Sequence, residues 1–179
     1  MRNVRRGLRL MMNTRTCLLV GGLLMAGCSE EGSGIDPALI PTTPAVLEWD
    51  GESFQTTNAI ARLSSRTPTM IFWSAPGASC DPFDVDIPAV GTIEATVFLP
   101  SESLVAGAVF EITGQTGSGS VDLIVVALAR TVDGRVESHS YHEGYVVVDA
   151  VSESEITLRV AARDGDVQIN GAITALVCP

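Results

Sequence analysis

Most of the chain beyond residue 45 alternates apolar and polar side chains with a period of two. Ile93, Ala95, Val97 and Leu99 share one parity, against Thr92, Glu94, Thr96 and Phe98 on the other. Ile156, Leu158, Val160 and Ala162 do the same against Glu155, Thr157, Arg159 and Ala161. Val167, Ile169, Ile173, Ala175 and Val177 form a third such face, with Gly171 between them. A strand turns successive side chains to opposite faces, so this alternation predicts strands half buried against a core. Residues 123–129 are apolar on both parities, as in a strand covered on both sides. Asp-Gly pairs at 50–51, 133–134 and 164–165 suit the positive φ angles of type I′ hairpin turns, and the last pair joins two alternating runs directly. No stretch keeps an apolar stripe at helical spacing over three turns. About nine or ten short strands are expected, and the fold class is all-β: an antiparallel two-sheet β-sandwich, with a small β-barrel as the alternative. Trp49, Phe54, Phe72, Trp73, Tyr141 and Tyr145 are read as core or sheet-face residues.

The N-terminal segment is patterned differently. The first 16 residues carry Arg2, Arg5, Arg6, Arg9 and Arg15 and no acid, and residues 17–27 are all apolar or glycine. A positive region followed by a short apolar run is the layout of a secretory signal. Eleven helical residues cover about 17 Å, short of the roughly 30 Å of a bilayer core. The run ends in Ala26-Gly27, and Cys28 follows. Met25-Ala26-Gly27-Cys28 resembles the lipobox of bacterial lipoprotein precursors, Leu-Ala/Ser-Gly/Ala-Cys, with Met where Leu is favoured. The resemblance implies a diacylglycerol on the Cys28 thiol, cleavage before it and acylation of the new amine. It also implies the outer membrane, because Ser29 stands where an Asp would favour inner-membrane retention. The chain is thus expected to divide into a signal peptide at 1–27, an acylated cysteine and flexible tether at 28–44, and one β domain at 45–179. The tether reading rests on "SEEGSGIDPALIPTTP", rich in Ser, Gly, Pro and acids; as a coil it would average about 20–25 Å end to end.

Removal of 27 residues leaves 152, enough for one domain with its own core. All 21 acids but only six of the 11 arginines lie in that part, so its net charge is −15 against −10 for the whole chain. So acidic a body repels nucleic acid, which is excluded as a partner. The expected partners are the membrane, through the lipid anchor, and an envelope protein or glycan. Lysine is absent. That excludes P-loop phosphate binding, Schiff-base chemistry and a Ser-x-x-Lys nucleophile.

Cysteine parity points to the same compartment. Cys17 leaves with the signal and Cys28 takes the lipid, so Cys80 and Cys178 remain. In an oxidising compartment two such cysteines read as one disulfide, worth about 2–4 kcal/mol. The segments "IFWSAPGASCD" and "SEITLRVAARDGDVQINGAITALVC" resemble those of a group of predicted Gram-negative lipoproteins that close on a cysteine-ended hairpin. That resemblance implies lipoprotein, β-sandwich and disulfide, and it carries no activity.

Candidate chemistry is sparse. "ESHSYHEGY" holds both histidines, His139 and His142, beside Glu137 and Glu143, residue types that bind Zn²⁺ or Cu²⁺. A spacing of three puts the imidazoles on opposite faces of a strand unless the chain turns at His142-Glu143-Gly144. "CDPFDVD" gathers Asp81, Asp84 and Asp86, hard oxygen ligands suited to Ca²⁺, but it lacks the spacing and glycine of an EF-hand loop. "TGQTGSGSVD" reads as a strand connection, since no helix N-terminus follows it to hold a phosphate. No Gly-x-Ser-x-Gly elbow occurs. The expected function is therefore a non-catalytic binding or envelope-structural module with no cofactor beyond the lipid at Cys28. A metal-binding lipoprotein using His139 and His142 is the alternative, followed by a hydrolase whose site is assembled from distant residues.

Overall fold

The structure, a computed structural model, describes residues 34–64, 67, 69–80, 90–112 and 124–179, all within the compact unit Glu31–Pro179. Cys28 and the signal segment, Asp81, Asp84 and Asp86, and the glycine-rich stretch 113–122 lie outside the described residues. Among the described residues, two short 3-10 helices, Pro37–Leu39 and Ser101–Ser103, accompany eleven strands. These are β1 (Val46–Trp49), β2 (Glu52–Gln55), β3 (Ala59–Leu63), β4 (Thr69–Ser74), β5 (Ile93–Pro100), β6 (Val109–Glu111), β7 (Val125–Val132), β8 (Arg135–Ser140), β9 (Gly144–Val151), β10 (Glu155–Asp164) and β11 (Val167–Val177). No α-helix occurs among the described residues, and the all-β expectation holds.

The alternating runs form strands as their patterns predict. Ile93, Ala95, Val97 and Leu99 on β5 are all buried, as are Ile156, Leu158, Val160 and Ala162 on β10. They meet Leu47 and Trp49 of β1, Phe72 of β4, Val126 and Leu128 of β7, and Ile169, Ile173 and Ala175 of β11 in one core. Each fully buried Val, Leu or Ile contributes about 1.5–3 kcal/mol by leaving water.

The strands form one continuous hydrogen-bonded sheet. Its path runs β6-β9-β10-β11-β3-β4-β5-β7-β8, with the β1–β2 hairpin branching from β11, and it curls into an open half-barrel. The continuity depends on β11, which is 11 residues long. One edge of β11 pairs with β10 from Glu155↔Leu176 to Asp164↔Val167. The other edge pairs first with β1, then in parallel with β3 through Leu176↔Ile60 and Val177↔Ala61. One strand thus serves both halves of the molecule, which is why the hydrogen bonding does not divide into two sheets.

Two of the three Asp-Gly turns match expectation. Asp50 and Gly51 have φ of 51° and 82°, and Asp133 and Gly134 have 50° and 73°, so both residues of each pair take positive φ as a type I′ turn requires. The third turn is displaced by one residue. Asp164 stays in β10, opposite Val167, and the loop is Gly165-Asp166 with positive φ at Gly165 alone (59°). Glycine at the first central position is the preference of a type II′ turn.

Residues 35–44, assigned to the flexible tether by composition, are folded against the sheet. Asp36 caps the first 3-10 helix by accepting from the Ala38 N–H at 2.9 Å. Ile40 is buried against Val147 and Ala161, with Ile35 and Tyr145 packed around them. Arg159 pins this strap from below: Nη1 donates to the carbonyls of Pro37 (3.3 Å) and Ile40 (3.0 Å), and Nε to Asp149 (2.8 Å). Ala172 then donates to the Thr43 carbonyl and accepts from the Ala45 N–H. The outer face of β9 and β10 carries apolar side chains that need cover, and two isoleucines without a period supply it.

Cys80, beyond β4, and Cys178, beyond β11, are joined by a disulfide across 98 positions. The Cys178 N–H also donates to the Ala61 carbonyl at 2.8 Å, which extends the β11–β3 pairing toward the bond.

Candidate functional site

Three hairpins place their charged and aromatic residues together at one end of the curl. Trp49 closes β1 and Asp50 opens its turn. Arg130 lies on β7 opposite Glu137 of β8, and His139 stands two residues further along β8. Tyr141 follows β8, its N–H donating to the Val126 carbonyl at 2.9 Å, and Asp164 ends β10.

Arg130 is the hub of this cluster. Its Nη2 lies 2.6 Å from Asp50 Oδ2 and 2.9 Å from Glu137 Oε2, and its Nε donates to Glu137 at 3.0 Å. The guanidinium sits 4.5 Å above the centroid of the Trp49 ring, in range of a cation–π attraction. Burial opposes the charge of Arg130, but the hydrogen bonds to Asp50 and Glu137 outweigh it, and the pKa is raised.

His139 is held edge-on between two rings. Its centroid is 6.1 Å from that of Trp49 and 5.2 Å from that of Tyr141, both in T-shaped contact. Its Nε2 is 3.2 Å from Asp164 Oδ2, close enough for an ion pair when the imidazole is protonated. The two groups are out of line, so Nε2 is buried without a hydrogen bond. The Tyr141 side chain is fully buried and its hydroxyl also lacks a hydrogen bond. Burial, and then the negative charge of Asp164, push the phenol pKa far above its usual range, so Tyr141 stays neutral.

The two histidines part company here. His139 points toward the rings and Asp164, whereas His142 and Glu143 are exposed in the bend before Gly144. Among the described residues no group of three or more His, Cys, Asp or Glu side chains is arranged to hold a metal. Beside the cluster lies an open cleft of about 540 Å³, lined by Glu48, Asp50, Arg163, Asp166 and Gln168. Within it Gln168 donates to the Glu48 carboxylate.

The sequence reading singled out His139 and Glu137 but not Trp49, Arg130 or Asp164 as their partners. The available signal was positional, since Asp50 and Asp164 belong to Asp-Gly pairs that mark hairpin tips. Chemically the cluster is a set of charges spent on one another over an aromatic floor. No family model, no curated protein and no solved structure matches the chain.

Proposed function

We propose that the protein is a lipid-anchored lipoprotein of the outer membrane whose β domain is a non-catalytic binding or envelope-structural module. The observation that carries this reading is the succession of an arginine-rich start, an 11-residue apolar run and Met25-Ala26-Gly27-Cys28. The Cys80–Cys178 bond supports an oxidising compartment. The curled sheet wraps one apolar core, which supports reading the domain as a sandwich-like body suited to presenting a surface. The partner classes proposed are an envelope protein or a glycan, not nucleic acid, given the −15 charge of the part after Gly27.

The engagement of the charged cluster favours binding or structure over catalysis. Arg130 is committed to Asp50 and Glu137, and His139 faces Asp164. Metabolic labelling with a fatty-acid probe tests the anchor. Wild type should incorporate the probe and be cut before residue 28, and Cys28→Ser should do neither. Equal labelling of the two would overturn the proposal.

A further inference from the structure

The strap changes where a lipid on Cys28 would hold the domain. Composition alone lets the flexible part run to residue 44, but residues 35–44 are folded against β9, β10 and β11. Gly34, the first described residue, stands six positions after Cys28. Whatever its conformation, a chain of six residues reaches at most about 20 Å. A body the size of Glu31–Pro179 is about 35–40 Å across. The reach is shorter than the width, so the side of the domain that carries Gly34 is the one brought to the bilayer.

Gly34, Ile35, Leu39 and Arg163 line one open cleft of about 290 Å³, which identifies that side. Leu39 is 78% exposed although Ile40 beside it is buried. Val147 of β9 points away from the core that takes Val146 and Val148, and it packs under Ile40. Val109 of β6 pairs with Val147, and paired side chains stand on one face of a sheet. Val109, 53% exposed, therefore belongs to the same face as the strap. We propose, resting on the lipid anchor at Cys28, that this face, with Leu39 and Val109 foremost, is held on the head groups of the bilayer that takes the anchor.

The contact depends on the tether. Two exposed apolar side chains give little hold on lipid, and the −15 charge of the part after Gly27 opposes docking of the free domain on anionic head groups. A short linker offsets both, since it sets an effective concentration of about millimolar. Local charge on the face is milder than that of the whole. Arg163, exposed in the cleft beside Leu39, offers a cation to lipid phosphates. Asp36 in the same cleft accepts from the Ala38 N–H, and Asp149 is paired with Arg159.

The test couples the Cys28 thiol of the chain from Cys28 onward, its disulfide intact, to a maleimide lipid in phosphatidylethanolamine–phosphatidylglycerol vesicles. Seating on the bilayer is then read whether or not cells acylate Cys28, which fatty-acid labelling reads separately. A fluorescent amino acid takes the place of Leu39, Val109 or Val136 in turn. Val136 is the comparison: it is exposed on β8 and pairs with Thr131, whose parity on β7 is opposite to that of the buried Val126 and Leu128. It therefore faces outward from the other half of the curl. With nitroxide-labelled head groups, probes at 39 and 109 should lose most of their fluorescence, and the probe at 136 little. Inserting about 20 Gly and Ser residues after Ser33 adds a coil that averages about 25 Å, and should restore the fluorescence at 39 and 109. Equal quenching at all three positions overturns the proposal. So does its absence at 39 and 109, or its persistence there with the longer tether.

Discussion

A Cβ placed on Gly171 would lie 2.7 Å from the Cα of Ala45 and 2.8 Å from the carbonyl oxygen of Thr43. The strap crosses β11 backbone to backbone at this point, and φ at Gly171 is +130°, a conformation few side chains adopt. Gly171→Ala should therefore cost about 2–4 kcal/mol, from backbone strain and overpacking together. Gly51→Ala supplies the comparison, because Gly51 also has positive φ but nothing within 4 Å of its Cβ position. Urea unfolding of both variants should show the larger loss at Gly171, and equal losses would mean that the crossing can shift.

The strap makes a second prediction through Arg159. Its side chain holds Asp149 and two strap carbonyls at once, so Arg159→Met keeps the apolar stem and removes every one of these bonds. The carboxylate of Asp149 is then left half-buried without its cation. The expected loss is about 1–3 kcal/mol, with hydrogen exchange accelerated first at residues 37–45. Unchanged protection of the strap would show that Ile40 and the Ala172 bonds hold it unaided.

Legibility in the sequence followed the range of the cause. Strands β5, β10 and β11 were readable because burial of alternate side chains is a local pattern. The first two Asp-Gly turns were readable because positive φ is a property of the residues themselves. The single sheet was not, since it depends on a parallel contact of only two residue pairs between β11 and β3. The strap escaped for a related reason. Ile35 and Ile40 cover an outer face, but two apolar residues among prolines and acids show no period. In the charged cluster, His139 lies on β8 but His142 falls in the bend beyond its end, where the face rule for a spacing of three in a continuous strand no longer applies. The partnership of Arg130 with Asp50 spans 80 positions and leaves no local trace.

Tyr141 offers a test of the buried end of that cluster. Its hydroxyl is buried without a hydrogen bond, so Tyr141→Phe removes an unsatisfied polar atom and keeps the ring against His139. At neutral pH the variant should be as stable as wild type or more stable by about 1 kcal/mol. The pH dependence has a definite sign. Burial, then Asp164, raises the folded pKa above the unfolded value of about 10, so the unfolded chain loses its proton first as pH climbs. Wild-type stability should then fall above about pH 10 more steeply than that of Tyr141→Phe. Parallel slopes in alkaline denaturant titrations would place the phenol in contact with water.

Metal affinity decides between the two leading readings of the histidine segment. A site there needs His139 and His142 to converge, yet His139 faces Asp164 and His142 is exposed past the end of β8. Recruiting His139 to a metal together with His142 would require its ring to leave Trp49 and Tyr141, and would give up the contact with Asp164. Each ligand lost from a set of three or four removes much of the affinity, because the rest cannot complete the coordination shell. Calorimetric titration of the metal-stripped domain with Zn²⁺ and Cu²⁺ should therefore find no stoichiometric binding tighter than tens of micromolar, about −6 kcal/mol. His139→Ala and His142→Ala should leave that result unchanged. Submicromolar one-to-one binding in wild type, abolished by either substitution, would put the metal-binding reading ahead of the non-catalytic module.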